Sequence, residues 1–432
     1  MKRMRTYLTG ILCLVAVAFS LSACGAKDEQ SPAADTGFRP ALDTETECEI
    51  RAVANYNNFE ALEAEFDRFN EYYPNVSLNY TVLDNYNDTI VAALSTEDAP
   101  DIFCAFPWML YQAQHAPLFA AAEDLSDPAL DIDTGCIRSG LIYRDAQGHV
   151  PMLPVFSSSY GMLVNEDIFA REGLAIPTTY SGFLDACEKL KTAGYAGPVI
   201  TYNDSFLMCL PMVLPYFYAA IRDDAEAVRA LNAMEPSAGE YLRPALELAA
   251  DFMSHGYIDM DECNALENNY QALILRFFEG DVPMMICTAD TVSGTKKRES
   301  QSEAFIKAPF NYSFLPIPVT EQGGYFVDTT SVEFSVNKQC DNLDMTNEFM
   351  RFLISDKELN QMASAKRLVA PTKTMSFDPV YAAFGNVPTE RTFCPEVLGV
   401  KDPLAGQIRK AAHKVGKGEL TVDEAVAMYG QF

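Results

Sequence analysis

The 432-residue chain carries 32 Lys and Arg against 60 Asp and Glu, a formal charge of −28, and 49% of it is apolar. That balance describes a soluble globular protein and disfavours nucleic acid and anionic membrane surfaces, which such a charge repels. A chain this long exceeds one ordinary core, so two domains are expected.

In chain order, Lys2, Arg3 and Arg5 precede the apolar run "YLTGILCLVAVAFS". The run falls short of the roughly 20 residues that cross a bilayer, and with its basic start it reads as a secretory signal. The residues that follow, Leu21-Ser22-Ala23-Cys24, resemble the lipobox of bacterial lipoproteins. That resemblance implies a signal peptide over 1–23, lipidation of Cys24, and a disordered tether over 24–44. The longest later apolar stretch, "FLMCLPMVLPYFYAA", holds two prolines and reads as buried core rather than a membrane span.

The first folded segment alternates strand and helix. "CEIRAVANY" is a strand pattern, and "NNFEALEAEFDRFNEYYP" sets Phe59, Leu62, Phe66 and Phe69 on one helical face. Asn57 or Asn58 is its expected cap and Pro74 its stop. "NVSLNYTVL" is extended, a helix covers "YNDTIVAALSTEDA", and "PDIFCAF" is a short buried strand. Such alternation implies βαβ units and a parallel sheet. A second module starts near residue 157. Asn165 caps a helix closed by Gly173, and Thr179 caps another closed by Gly194. "GPVITYND" gives a strand, 205–280 is mostly helical, and "DVPMMICT" is a buried strand. A polar loop is expected over 293–303, strands over "NYSFLPIPV" and "TTSVEFSVNK", and helices over 346–364, 402–414 and "LTVDEAVAMYG".

Five segments in order resemble the family 1 extracellular solute-binding proteins of ABC transporters. They are "FEALEAEFDRFNEYYPNVSLNYTVL", "APDIFCAF", "SSSYGMLVNEDIFAREGLAIPTTYSGFLDACEKLKTAGY", "FFEGDVPMMI" and "GGYFVDTTSVEFSVNK" continuing to "LVAPTK". The resemblance implies an α/β fold of the two-lobe periplasmic-binding-protein type, class II, with a mixed or parallel sheet flanked by helices in each lobe and a hinge between them. Lobe 1 is expected over 45–156 plus 320–372 and lobe 2 over 157–319 plus 373–432, with crossings near "PVFSSSY" and "LPIPV". The implied protein is a monomer outside the cytoplasm, held to the membrane only by its lipid. It captures a small polar solute, a sugar or short oligosaccharide, and hands it to the transmembrane subunits of an ABC permease.

Candidate ligand contacts are polar and aromatic residues at strand ends facing the expected cleft. They are Asn55, Tyr56 and Asn57 after the first strand; Phe106 and Trp108 after "PDIFCA"; and Ser157, Ser158 and Tyr160 at the first crossing. Tyr202, Asn203 and Asp204 follow "PVI", Thr288 and Asp290 follow "PMMI", and Tyr325 and Asp328 lie at the return. Hydroxyl, amide and carboxylate groups bond sugar hydroxyls, and aromatic faces pack on a pyranose. Each residue type also has an ordinary structural use: core packing for the aromatics, helix capping for Asn57. The chain holds a single tryptophan, and tyrosine or aspartate stands where many sugar binders of this family carry tryptophan. Asp204 and Asp290 together leave open a cationic solute such as a polyamine.

No cofactor or metal site is expected. The four histidines are scattered without an H-E-x-x-H, and no G-x-S-x-G occurs. Two acidic stretches, "DIDTGCIRSGLI" and "DMDECNALENNY", start like calcium loops but lack the closing glutamate. No spacing marks a catalytic carboxylate pair, so no enzyme is expected. A surface glycan-acting enzyme and a ligand-displaying sensor remain the rival classes. Cys13 lies in the leader and Cys24 at the lipobox, which leaves an odd number of widely spaced cysteines and argues against a disulfide framework.

Overall fold

The computed structural model describes residues 37–55, 59–203, 205–206, 211–266, 270–395 and 397–432. The expected signal peptide, Cys24 and the expected caps Asn57 and Asn58 lie outside the described residues, as do Tyr56 and Asp204.

Strand β1 (Cys48–Ala54) lies between β2 (Val76–Val82) and β3 (Ile102–Ala105), and all three run parallel. The helix Glu60–Phe69 joins β1 to β2 and buries Leu62, Phe66 and Phe69, the face its spacing predicts. Every residue of β3 is buried, the pattern of a strand covered on both faces. β4 (Leu153–Ser158) completes this sheet through an antiparallel strand from much later in the chain, giving the order β2-β1-β3-β10-β4, with β10 at Thr329–Val336.

A single residue, Ser159, separates β4 from β5 (Tyr160–Asn165), yet β5 belongs to a second sheet. There β5 lies between β7 (Met284–Thr288) and β8 (Tyr312–Leu315), antiparallel to both, with β6 (Val199–Thr201) on the far side of β7. Alternation sorts the side chains of this sheet. Met162, Val164, Met284 and Ile286 enter one core with the C-terminal helices, whereas Leu163, Met285 and Cys287 enter another beneath Phe277, Tyr381 and Phe384. Two sheets, each flanked by helices and each stitched from distant stretches of chain, form the two-lobe α/β architecture.

Local signals hold well in the second sheet's helices. The Asn165 side chain accepts a hydrogen bond from the Ile168 amide at 3.1 Å, and Thr179 Oγ1 accepts one from Gly182 at 3.1 Å. Gly173 and Gly194 follow with φ of 66° and 109°, a region costly for residues bearing a Cβ. Three expectations are corrected. The helix expected over 346–364 is two, Leu343–Leu353 and Asp356–Lys366, because Ser355 stops the first and caps the second through the Glu358 amide at 3.3 Å. The loop expected over 293–303 is largely helical, as Thr295–Glu299 and the start of Glu303–Lys307. Thr295, Arg298 and Ser302 are buried while Lys296 and Lys297 stay exposed, and Arg367 donates to Thr295 and Glu299 at 3.1 and 2.8 Å. The tether expected to reach residue 44 is anchored earlier: the Ala41 and Leu42 amides donate to Glu348 at 2.8 Å and to Tyr73 at 3.1 Å. The cysteines among the described residues are free thiols, most of them buried.

Candidate functional site

A cleft of about 790 Å³ opens where the chain passes from one sheet to the other. Its floor is built by strand ends. β3 ends at Ala105, and Phe106, Pro107 and Trp108 line the cleft directly after it. The first residues of β10, Thr329, Thr330 and Ser331, lie on the same floor, and Tyr160 lines it at the start of β5. Asp290 reaches it from the helix Ala289–Ser293, which starts directly after β7. Ligands of open α/β sheets bind outside the carboxyl ends of parallel strands, and β3 and β7 both present that end here.

Asp290 ties the two sheets together. Ser158 of β4 donates to its Oδ2 at 2.6 Å, the Ser331 hydroxyl of β10 donates to its Oδ1, and the neighbouring Ala289 amide donates to Ser159 at 2.9 Å. A carboxylate receiving two hydroxyls retains acceptor capacity on each oxygen, so it can also take ligand hydroxyls. The aromatic wall is ordered too. The rings of Phe106 and Trp108 are nearly parallel, with centroids 6.1 Å apart, and the buried His115 imidazole meets the indole edge-on at 5.6 Å. Burial, and then the Asp145 carboxylate, push the Tyr143 phenol up, which keeps it a neutral hydroxyl on the cleft wall.

Of the residues singled out from the sequence, Phe106, Trp108, Tyr160 and Asp290 line the cleft, and Ser158 reaches it through Asp290. Ser157 and Asp328 are engaged elsewhere. Arg138 donates to Asp328 Oδ1 and Oδ2 at 2.6 Å each and to Ser157 at 2.9 Å, and both residues are buried. Tyr202 meets the Phe206 ring at 6.0 Å, and Asn203 accepts from the Phe206 amide at 2.7 Å. Tyr325 packs on Phe393 at 5.7 Å, Asn55 is exposed just past β1, and Thr288 pairs with Tyr160 across the second sheet. None of these is among the described lining residues, and Tyr56, Asn57 and Asp204 lie outside the described part of the chain.

Sequence reasoning missed the opposite wall. Tyr143 and Arg144 follow the short 3₁₀ turn Ser139–Leu141, Tyr218 comes from the helix Val213–Ile221, and Lys401 and Arg409 from the helix Asp402–Gly416 and its first flank. No strand end announces these residues. The one available signal was the four-residue spacing of Lys401, Ala405 and Arg409, which sets them on one helix face.

Two lobes that share crossing strands, with an aromatic-walled cleft at the crossing, define a solute-binding architecture. The family of bacterial extracellular solute-binding proteins matches residues 64–389, and the chain belongs to that family. Curated protein sequences contain no match. Among solved structures the chain is similar to the GacH receptor of Streptomyces glaucescens, described unliganded and with acarbose (16% identity, 89% of this chain and 97% of that one, TM-score 0.65). It is also similar to a sugar transporter of Bacillus licheniformis in complex with stachyose (15%, 89% and 99%, 0.61). A family 1 extracellular solute-binding protein from Bifidobacterium longum subsp. infantis is a third such structure (14%, 89% and 98%, 0.63). At these identities the likeness bears on the fold.

Proposed function

We propose that the chain is a lipid-anchored extracytoplasmic binding protein of an ABC importer, which captures a sugar or short oligosaccharide and delivers it to a membrane permease. The observation that carries this reading is the cleft floor, where the aromatic residues Trp108 and Tyr160 lie beside Ser331, Thr330 and the bridging Asp290. Aromatic faces take the apolar side of a pyranose, and the polar groups take its hydroxyls. The sugar ligands named for the structural relatives support the same class.

Capture proceeds by closure of lobe 1 (45–156 plus 320–372) on lobe 2 (157–319 plus 373–432), with no bond made or broken. A ligand that touches both lobes only when they are closed favours the closed state by that difference in contact. The permease then recognises surfaces of both lobes in the closed form. A cationic solute is less well served, because Arg144, Lys401 and Arg409 also line the cleft.

A thermal-shift screen of mono- and oligosaccharides alongside polyamines tests the reading. A specific ligand at 100 times its Kd stabilises the fold by about 2.7 kcal/mol, so a clear rise in Tm with a saccharide is expected. A rise with polyamines alone contradicts it. The anchor has its own test: Cys24→Ala should release the protein from the membrane fraction into the medium.

A further inference from the structure

The charge of the cleft runs against the charge of the chain. Acidic residues outnumber basic ones 60 to 32 overall, yet the described charged residues lining the cleft are Arg144, Lys401, Arg409 and the single carboxylate Asp290. Asp290 already receives the hydroxyls of Ser158 and Ser331, so part of its charge is stabilised within the protein. Among the described residues no carboxylate lies within ion-pair distance of Arg144. Arg144 is steadied instead by Nη1 donating to the Gly148 carbonyl at 3.1 Å.

The cations stand on separate elements. Arg144 comes from the segment after Ser139–Leu141, and Lys401 and Arg409 from the helix Asp402–Gly416 and its N-terminal flank. Between the latter two lie Ala405 and Gly406. A Cβ placed on Gly406 would meet nothing within 4 Å, so this part of the helix presents open space rather than a packed surface. Small residues flanked by basic ones leave room for a ligand group beside the charges. Guanidinium and ammonium groups gathered along one cleft wall form a local positive field that attracts an anionic group and hydrogen-bonds it.

We infer that the cleft takes an anionic saccharide: a sugar whose ring packs on the aromatic floor and whose carboxylate or sulfate group is met by Arg144 and Lys401. The inference rests on the saccharide reading above and narrows it to acidic sugars. The acidic exterior does not oppose this, since repulsion between exposed charges is screened beyond about 8 Å at physiological salt.

Titration calorimetry on the whole folded chain tests it. The probes are digalacturonate against its neutral methyl ester, and a sulfated disaccharide against its unsulfated counterpart. The expected result is at least tenfold tighter binding of one acidic member than of its neutral partner. The pair that shows the preference identifies carboxylate or sulfate as the recognised group. In the double variant Arg144→Gln, Lys401→Gln, whose two sites are exposed, that preference should fall below threefold while the Tm of the unliganded protein stays within a degree or two. Equal or tighter binding of the neutral partners overturns the inference and leaves the saccharide reading standing. Binding of none of these sugars, nor of a wider neutral panel, overturns both. A preference that survives the double variant also overturns it, because the charges would then not be its source.

Discussion

Trp108 owes its place to its neighbours: Phe106 lies nearly parallel to it, His115 packs nearly perpendicular to it, and the strand that precedes it is buried throughout. A ring held this way loses little freedom when a sugar packs on it. Trp108→Ala should therefore weaken saccharide binding roughly fivefold, from about 1 kcal/mol of ring packing, and ligand should change the indole fluorescence of the native protein. An unchanged spectrum at proven saturation contradicts this placement. Glu348 is a stability residue of comparable consequence. Burial alone would raise its carboxyl, but Arg351, Tyr73 and the Ala41 amide bond it and hold it below its ordinary value. A carboxylate lowered on folding adds stability above its unfolded pKa and loses it as pH falls through the folded one. Glu348→Gln should cost about 2 kcal/mol at pH 7 by urea denaturation, with the gap to the native protein closing as pH falls below about 4. A gap that stays constant with pH contradicts that origin. At this scale Phe106 and Trp108 were legible because they follow a strand of unbroken apolar residues. Arg144 and Lys401 were not, since nothing in their local pattern separates a cleft cation from a solvated one.

Among the elements, the passage from β4 to β5 does most to place the site. Only Ser159 lies between them, so the chain changes sheet with no loop to absorb error. Gly161, two residues on, has no room for a side chain: a Cβ there would sit 2.5 Å from the Leu315 carbonyl oxygen and 2.7 Å from the Phe314 ring. Gly161→Ala should push β8 away from β5, lowering stability by about 2 kcal/mol and weakening ligand binding with it, both measurable by thermal denaturation with and without saccharide. A fully native Tm would contradict the close packing. The capped helices after Asn165 and Thr179 could be read from sequence because their signals act within four residues. The break at Ser355 and the helix at Thr295–Glu299 could not. The first hides a cap inside a continuous amphipathic pattern, and the second is held by Arg367, which is remote in the chain.

For the whole molecule, the existence of two α/β sheets flanked by helices was legible in the alternating strand and helix patterns, whereas the order of strands within each sheet was not. Nor was the way distant segments are pinned beside the crossing, because it rests on contacts such as those of Arg138. Its guanidinium donates to Asp328, Ser157 and the carbonyls of Ala370 and Thr372, which gathers the segments that pass between the sheets. Removing it leaves the buried Asp328 unpaired, so Arg138→Ala should cost about 3 kcal/mol in denaturant titration, and a cost under 1 kcal/mol would contradict the pinning role. The central claim is that two lobes shut around a solute at their crossing. Small-angle X-ray scattering of the free protein and of the protein saturated with a saccharide that raises its Tm tests this most directly. A smaller radius of gyration at one ligand per chain is the expected result, and an unchanged radius at proven saturation would contradict it.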